Sequence, residues 1–293
     1  MRFELTSDSS PFKQKTIKKE VSISGVGLFT GSKVSLTLKP AQENHGVVFQ
    51  RVDLPDKPKI YAKLSYVKET PRCTILGNEK ISILTVEHLL SALNAYEVDN
   101  LLIEIFGPEV PVCDGSSKAF VELIEQSGVE ELEDNKKLIK LKKPVYWSQK
   151  EVHIVALPSN DFRISYLLHY PKTDVLKSQY YTSVVDPYIY KEEISPCRTF
   201  SIYEEIEPLL KKGFIKGGGL NNAVIVKDNR ILNPDGVRFP EEMARHKILD
   251  LIGDLSLLGG KIFGHIIAIR SGHFSNISFA KKVLKILEME DDK

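Results

Sequence analysis

Short segments of alternating apolar and polar residues recur along the first third of the chain. A period of two is typical of β-strands that bury one face. The pattern predicts strands over 21–24, 34–38, 46–49 and 100–106. Apolar residues three and four positions apart predict a helix over about 85–96, and a second helix from Ser116 or Ser117 to about Gln126.

The second half of the chain repeats this order of elements. Its periodicity predicts strands over 151–156, 162–169, 179–185, 223–226 and 263–270, and helices over 203–212, 241–258 and 275–289. In both halves a helix is followed by a strand, a loop and a second helix. This shared order predicts two related α+β halves in which the helices that carry His88 and His246 meet.

A charged stretch, GVEELEDNKKLIKLKK over 128–143, interrupts the pattern. We interpret it as a solvated connector with the domain boundary inside it. Two domains also suit a chain of 293 residues, since a domain usually takes roughly 100–200 residues. We expect a flexible extension over 1–11, an N-terminal α+β domain over 12–132 and a C-terminal α+β domain over 133–293.

Composition narrows the class of protein. With 42% hydrophobic and 27% charged residues the chain can bury a core, and a formal net charge of +1 argues against a nucleic-acid partner. No apolar run approaches the roughly 20 residues of a membrane-spanning helix. Met1–Glu4 lacks a signal-peptide core, so we expect a cytoplasmic protein. Three widely spaced cysteines argue against disulfides and thiolate metal sites.

Candidate chemistry is concentrated on the helix predicted over 241–258. His246, Asp250 and Asp254 are four residues apart and share one helix face. A histidine and an aspartate with this spacing can present one nitrogen and one oxygen to a single Zn²⁺. The alternative is a solvated face with a local ion pair.

Two further short motifs carry candidate groups. In Glu87-His88, one side chain can bind a metal while its neighbour reaches water at that metal. The alternative is an exposed glutamate beside a core histidine. In Ser271-Gly272-His273, the histidine follows a predicted strand, where it can transfer protons or simply occupy a turn.

Taken in order, these motifs resemble the UDP-3-O-acyl-N-acetylglucosamine deacetylase family, the zinc amidases of lipid A synthesis. The resemblance extends from Ser22 to the final helix. It includes Thr85-Val86-Glu87-His88-Leu89, Asp114-Gly115-Ser116, Cys197-Arg198-Thr199-Phe200, the segment from Arg245 to Asp254, and Ser271-Gly272-His273. It implies two α+β domains, each a sheet packed against two helices, with the active site between them.

The resemblance also implies the metal site and the catalytic roles. His88, His246 and Asp250 would hold one Zn²⁺ per chain, or Fe²⁺, with a coordination position left open for water. Glu87 would be the general base. The remaining implied catalytic residues are Thr199 at the oxyanion, His273 as proton donor to the amine, Asp254 as its orienting partner, and Lys247 beside the intermediate.

Substrate contacts are implied more loosely. The segment over 200–226 resembles a family insert that forms an apolar passage for an acyl chain, and Phe200 and Gly218 are candidate contacts. The apolar surface of this passage would come from Ile202, Phe214, Leu220, Ala223 and Ile225, and the alternative is that these residues are simply core. Arg270, together with Lys247, is a candidate for the diphosphate. His169 stands where the family usually has an aromatic residue against the uracil, and this is a departure from the family pattern.

The resulting expectation is hydrolysis of the 2-acetamido group of a UDP-linked, 3-O-acylated amino sugar. Two alternatives stay open: a zinc amidohydrolase of the same fold that acts on another acyl-amide, and a non-catalytic protein that binds nucleotide sugars or acyl chains. We also expect a monomer, no nucleic-acid partner, and at most transient contact with the inner membrane surface.

Overall fold

The structure is a computed structural model that describes residues 11–171 and 173–291, with side chains up to Leu287. The extension expected over 1–11 therefore lies almost entirely outside the described residues. The helices in the described part are α1 (Glu87–Ala95), α2 (Lys118–Ser127), α3 (Pro187–Ile189), α4 (Tyr203–Lys211), α5 (Glu242–Ser256) and α6 (His273–Asp291), with a 3₁₀ turn at Leu64–Tyr66 and a π-helical turn at Tyr190–Ile194.

The strands fall into two groups on either side of α2. Before it come β1 (Lys13–Ile17), β2 (Val21–Val26), β3 (Lys33–Pro40), β4 (Val47–Arg51), β5 (Lys59–Tyr61), β6 (Val67–Glu69), β7 (Ile75–Gly77), β8 (Ser82–Ile83) and β9 (Leu101–Phe106). After it come β10 (Val129–Asn135), β11 (Leu138–Lys140), β12 (Val145–Gln149), β13 (Val152–Leu157), β14 (Phe162–Tyr170), β15 (Lys177–Val184), β16 (Phe200–Ile202), β17 (Val224–Lys227), β18 (Arg230–Ile231) and β19 (Lys261–Ile269).

The two large sheets have the same topology. In the first, the strand order is β2-β3-β9-β4-β5, and β9 runs antiparallel to β3 and parallel to β4. In the second, the order is β12-β13-β19-β14-β15, and β19 runs antiparallel to β13 and parallel to β14. Each central strand follows one long helix and precedes another. The α+β fold class is confirmed, and so is the repeated order of elements.

The central strands carry the hydrophobic core of both sheets. Ile103 of β9 lies opposite Leu38 of β3 and Phe49 of β4, and all three side chains are buried. Every second residue of β9 is buried, as expected for a strand with one face on the core. Apolar burial of this kind is the main favourable contribution to the free energy of folding.

The prediction for residues 128–143 was wrong. Instead of a solvated connector, Val129–Asn135 forms β10 against β1, and Leu138–Lys140 forms β11 parallel to β19. Leu138 and Ile139 are buried. The partner strands lie far away along the chain, so the charged local sequence does not reveal the pairing. The domain bounds 12–132 and 133–293 remain predictions.

One boundary also differs from expectation. His273 begins α6 instead of lying in a loop, because Asn276 already donates its backbone N–H to the Gly272 carbonyl at 2.9 Å. The insert expected over 200–226 contains β16, α4 and β17, and its helix and second strand agree with those predicted over 203–212 and 223–226. β16 and β17 form a small sheet with β18. Within the described residues, no helix is both long and apolar enough to cross a bilayer.

Candidate metal centre and cleft

Helices α1 and α5, one from each half, contact each other and bring three potential metal ligands together. Each of His88, His246 and Asp250 offers a ligand atom within 4.8 Å of the other two. The side chain of Asp250 approaches both rings, since its Oδ1 lies 3.7 Å from His88 Nε2 and 3.3 Å from His246 Nε2. The relative exposures of the three residues are 4%, 1% and 2%. The alternative of a solvated helix face is therefore excluded.

The donor set fits a divalent metal ion. Oδ1 of Asp250 is buried and has no hydrogen-bond partner among the described residues. An orphaned carboxylate oxygen costs free energy unless a cation or proton partners it. Two imidazoles with one carboxylate suit Zn²⁺ and Fe²⁺. This buried group can hold a metal.

The ring of His246 is oriented by a backbone carbonyl. Its Nδ1–H donates to the Cys197 carbonyl at 3.0 Å, so Nε2 is left to face Asp250. The next residue, Arg198, donates its backbone N–H and its Nε–H to Glu242 Oε1, each at 2.9 Å. Glu242 is fully buried and precedes His246 by one helical turn. A buried ion pair thus holds the carbonyl that sets the histidine tautomer.

Glu87 and His273 lie beside these ligands. His273 Nε2 is 3.6 Å from Glu87 Oε1 and 3.9 Å from Asp250 Oδ2. On the opposite side of its ring, Nδ1–H donates to Asp254 Oδ2 at 2.9 Å. Asp254 is therefore behind His273, where it fixes the ring without facing the cleft.

Thr74 joins the two halves at this point, and the sequence did not reveal it. Its hydroxyl donates to Asp254 Oδ1 at 2.5 Å, and its backbone N–H donates to Glu87 Oε2 at 3.0 Å. The hydroxyl also lies 3.3 Å from His273 Nδ1. Thr74 is in the loop before β7 and has no ligand-like spacing to any motif. Only the fold brings it to the site.

The environment separates the pKa values of the two acid–base candidates. Burial raises the pKa of Glu87 to about 7, against the opposing effect of His273. Burial alone would lower the pKa of His273, but Asp254, Glu87 and Asp250 outweigh it and raise that pKa to about 9. A carboxylate that can accept a proton thus faces an imidazolium that can donate one.

Two of the ligand candidates, His88 and Asp250, have pKa values that suit metal binding. Burial and the neighbouring His246 lower the pKa of His88 to about 3, so its ring is neutral. Burial acts to raise the pKa of Asp250, but His246 and Lys247 outweigh it and hold the pKa well below its usual range. Lys247 Nζ donates to Asp250 Oδ2 at 2.7 Å, which leaves Oδ1 to the two imidazoles.

A cavity of about 680 Å³ opens from this cluster. Glu87, His88, His246, Asp250 and His273 all line it, so the sequence motifs meet in one cleft. The other predicted site residues that line it are Thr199, Lys247, Phe200, Ile202, Gly218, Ala223 and Arg270.

Comparison with known proteins agrees with this geometry. A family model described as UDP-3-O-acyl N-acetylglycosamine deacetylase matches residues 14–285. The chain belongs to this family. A protein of Chlamydia pneumoniae named UDP-3-O-acyl-N-acetylglucosamine deacetylase is 46% identical over 277 residues, 94% of this chain and 98% of that protein. Proteins of the same name from Chlamydia felis (strain Fe/C-56) and Chlamydia muridarum (strain MoPn / Nigg) are 43% and 44% identical, and each alignment covers at least 94% of this chain and 97% of the relative.

One residue carried over from the deacetylase family is placed elsewhere. His169 is on β14, where its Nδ1 lies 2.8 Å from Ser178 Oγ, and it is not among the described residues that line the cavity. The adjacent Tyr170 lines the cavity instead, and its ring packs edge-on against Phe200 at 6.0 Å. Neighbouring residues of a strand point to opposite faces of the sheet, so Tyr170 faces the cavity and His169 faces away from it.

The cleft is also lined by two aromatic residues whose role the sequence did not reveal. Trp147 and Phe274 line the cavity, and their ring centroids are 6.5 Å apart. Arg270 lies close by in the lining and pairs with Glu151 at 2.6 Å. β12 and the start of α6 bring the two aromatic residues together, although they are far apart along the chain.

Proposed function

We propose that this protein hydrolyses the 2-acetamido group of UDP-3-O-acyl-N-acetylglucosamine and releases acetate, as a metal-dependent step of lipid A biosynthesis. One observation carries the proposal. A buried group of two histidines and one aspartate lies beside a carboxylate–imidazole pair, at the inner end of a largely apolar cavity. The names of its family relatives give the substrate.

His88, His246 and Asp250 hold the metal ion in this proposal, with Zn²⁺ first and Fe²⁺ as the second candidate. When bound, such an ion polarises a carbonyl oxygen and lowers the pKa of a coordinating water. Three protein ligands leave room for that water, as catalytic sites require. Lys247 and Cys197 hold Asp250 and His246 in position through the hydrogen bonds described above.

Glu87 acts as the general base. The Thr74 N–H holds one carboxylate oxygen, while the other oxygen faces His273 and the cleft. A pKa near 7 leaves a substantial share of Glu87 ionised at neutral pH, so that it can accept a proton from the attacking water.

His273 acts as the general acid. The raised pKa of His273 keeps its ring protonated at neutral pH, and Nδ1–H donates a hydrogen bond to Asp254. Nε2–H is then directed into the cleft, where it donates to the amine nitrogen as the C–N bond breaks. This donation matters because an unprotonated amine is a poor leaving group.

Lys247 and Thr199 stabilise the charge that develops on the carbonyl oxygen. Both line the cavity beside the ligand group. Burial acts to lower the pKa of Lys247, but Asp250 outweighs it and raises that pKa, so the ammonium group stays charged. The backbone of Thr199 is held at both sides, because its N–H donates to Gly115 O and its carbonyl accepts from the Val224 N–H, each at 2.8 Å. A charged group and a hydroxyl at fixed positions suit oxyanion stabilisation.

The cavity lining suits the two ends of the substrate. Phe200, Ile202, Gly218 and Ala223 offer apolar surface and close backbone approach to an acyl chain. Arg270, which also lines the cavity, is the candidate for the diphosphate. The role of His169 toward uridine stays a prediction, as do a monomeric state and a cytoplasmic location.

Metal analysis with activity measurement tests the proposal. We expect about one equivalent of Zn²⁺ or Fe²⁺ per chain, loss of acetate release on chelation, and recovery on adding Zn²⁺. The change Glu87→Gln should retain the metal and lower turnover by about 10²–10⁴-fold, because a general base contributes that much. Full activity after chelation, or wild-type turnover by the Glu87→Gln variant, would contradict the mechanism.

A substrate panel separates the alternatives that the sequence left open. The panel varies the nucleotide and the 3-O-acyl chain of the substrate. We expect kcat/KM to fall sharply when either part is removed. Equal activity on simple acyl-amides would indicate an amidohydrolase with another substrate. Tight binding of the nucleotide sugar without acetate release would indicate a binding protein.

A further inference from the structure

The turn after α4 carries exposed apolar and basic residues side by side. We define residues 209–216, with the sequence LLKKGFIK, as the α4 tip. The turn is closed by two hydrogen bonds, from Gly213 N–H to the Leu210 carbonyl at 2.9 Å and from Phe214 N–H to the Leu209 carbonyl at 3.0 Å. Gly213 has φ 77°, which favours glycine, so the chain reverses there and presents Phe214 outward.

The apolar side chains of the α4 tip and its surroundings are unusually exposed. Phe214 and Leu210 have relative exposures of 55% and 37%. The tip is tied to the loop after β2, because Lys216 N–H donates to the Phe29 carbonyl at 3.2 Å, and Val26 at the end of β2 is 40% exposed. Gly217, next to Lys216, lies against Val26, since a Cβ built at Gly217 would be 3.3 Å from Val26 Cγ1. Exposed apolar side chains gathered in this way are typical of interaction sites.

The charge of the α4 tip indicates the kind of partner. It contains Lys211, Lys212 and Lys216, all exposed, whereas the whole chain has a net charge of only +1. Lys211 pairs with Glu207 one helical turn earlier at 3.2 Å, so Lys212 and Lys216 carry the positive charge of the tip. Lysines around an exposed aromatic residue suit an anionic lipid surface, where lysines meet the head groups and the apolar side chains enter between them.

The α4 tip is also continuous with the cavity. Leu210 and Ile215, on either side of Phe214, line the cavity wall together with Leu220. Phe214 itself is not among the lining residues. The same short segment therefore forms the outer wall of the apolar cavity and an exposed apolar and basic surface.

We infer that the α4 tip docks on the surface of an anionic lipid bilayer, with Phe214 inserted and Lys212 and Lys216 at the head groups. This inference goes beyond the proposed function and does not depend on it, since docking needs neither the metal nor turnover. Docking in this orientation places the apolar end of the cavity at the membrane.

Co-sedimentation of the full chain with vesicles tests the inference. We expect binding to vesicles that contain phosphatidylglycerol, little binding to vesicles of phosphatidylcholine alone, and weaker binding at high salt. The change Phe214→Ser should lower the partition coefficient about tenfold, because it removes a large inserted side chain. The change Lys212→Glu should lower it about fivefold or more at low salt.

Two matched variants test whether losing any exposed aromatic residue or lysine would weaken vesicle binding equally. Tyr188→Ser removes an exposed aromatic residue on α3, and Lys19→Glu reverses an exposed lysine between β1 and β2. Both should bind vesicles as the unaltered chain does. Absence of binding to anionic vesicles, or equal losses in tip and control variants, would overturn the inference.

Acetate release from a water-soluble substrate with a short acyl chain separates this result from the proposed function. Phe214→Ser and the unaltered chain should release acetate at the same rate, because Phe214 touches neither the cavity nor the ligand group. Normal turnover without vesicle binding would contradict the docking inference and leave the deacetylase proposal standing. Vesicle binding without turnover would contradict the deacetylase proposal and leave the docking inference standing. Binding that is equal on neutral and anionic vesicles would also overturn the inference.

Discussion

The carbonyl oxygen of Glu87 on α1 lies against Gly253 on α5, so closely that a Cβ built at Gly253 would be 2.2 Å from it. The Cα of Glu87 would be 3.0 Å from the same Cβ. Both neighbours are backbone atoms and cannot rotate away. The absence of a side chain at Gly253 thus allows the two helices to approach and places the Glu87-His88 pair beside His246 and Asp250.

We predict that Gly253→Ala separates α1 from α5. Overpacking of this kind should lower the free energy of unfolding by about 1–3 kcal/mol, and the displaced His88 should weaken metal binding. Thermal denaturation and metal content of the purified variant measure both effects. Gly272→Ala is the matched control, since its Cβ would meet no atom within 4 Å. Unchanged metal affinity in Gly253→Ala would show that the close contact does not position the site.

The change Glu242→Gln should weaken the metal site from a distance. It removes the charge that accepts hydrogen bonds from Arg198, and the Cys197 carbonyl that orients His246 then loses its support. We expect metal affinity to fall about 10–100-fold, as for other groups that orient a metal ligand. Competition with a chelator measures this affinity.

A control for Glu242→Gln is available one residue earlier. Glu241 pairs with Arg245 at 3.5 Å and is partly exposed, so Glu241→Gln should leave metal affinity unchanged. Because breaking a buried pair can destabilise the fold, Arg198→Lys serves as a milder second variant. Wild-type metal affinity in folded Glu242→Gln and Arg198→Lys proteins would rule out a role for this pair at the metal.

The change Thr74→Val should lower turnover without loss of metal. Valine has a similar shape but cannot donate to Asp254, which then holds His273 less firmly. A hydrogen bond to a charged group contributes about 1.5–3 kcal/mol, so we expect kcat to fall about 10–100-fold. Thr37→Val, which removes a hydroxyl paired with Ser22 on the surface, should leave kcat unchanged. Equal kcat in both variants would exclude Thr74 from the proton-transfer arrangement.

Glu97 makes the stability of the fold depend on pH. Burial acts to raise its pKa, but hydrogen bonds from Lys261 and Lys15 outweigh it and lower the pKa from 4.5 to about 2. A carboxyl group whose pKa is lowered on folding stabilises the native state above its ordinary pKa, and this contribution is lost as the pH falls through the lowered value.

We therefore predict that Glu97→Gln lowers the free energy of unfolding by about 1–3 kcal/mol at pH 7, a value reduced for partial solvent screening. The difference from the unaltered chain should shrink between pH 4.5 and about 2. Denaturant titrations over this range measure it, with Glu69→Gln as an exposed control. A difference that stays constant from pH 7 to pH 2 would contradict the electrostatic origin.

The local periodicity of the chain was enough to predict most helices and the central strands. β9 and β19 alternate strongly, and α5 repeats every three to four residues, because the pattern of each element depends on which of its own faces is buried. The same local pattern identified His246 and Asp250 as a ligand pair, since four residues make about one helical turn. The repeated order of elements predicted that the helix of His88 meets that of His246, and the resemblance to the deacetylase family then implied His88 as the third ligand.

Tertiary structure alone decided what depends on residues far apart along the chain. The pairing of β10 with β1, the contact of Gly253 with Glu87 and the hydrogen bonds of Thr74 join segments whose local sequences carry no mark of one another. That Tyr170 lines the cavity and His169 does not is similar, because the face of a strand that meets a cavity depends on the elements packed against its sheet. Periodicity describes a face of one element, whereas a site is formed where faces of several elements meet.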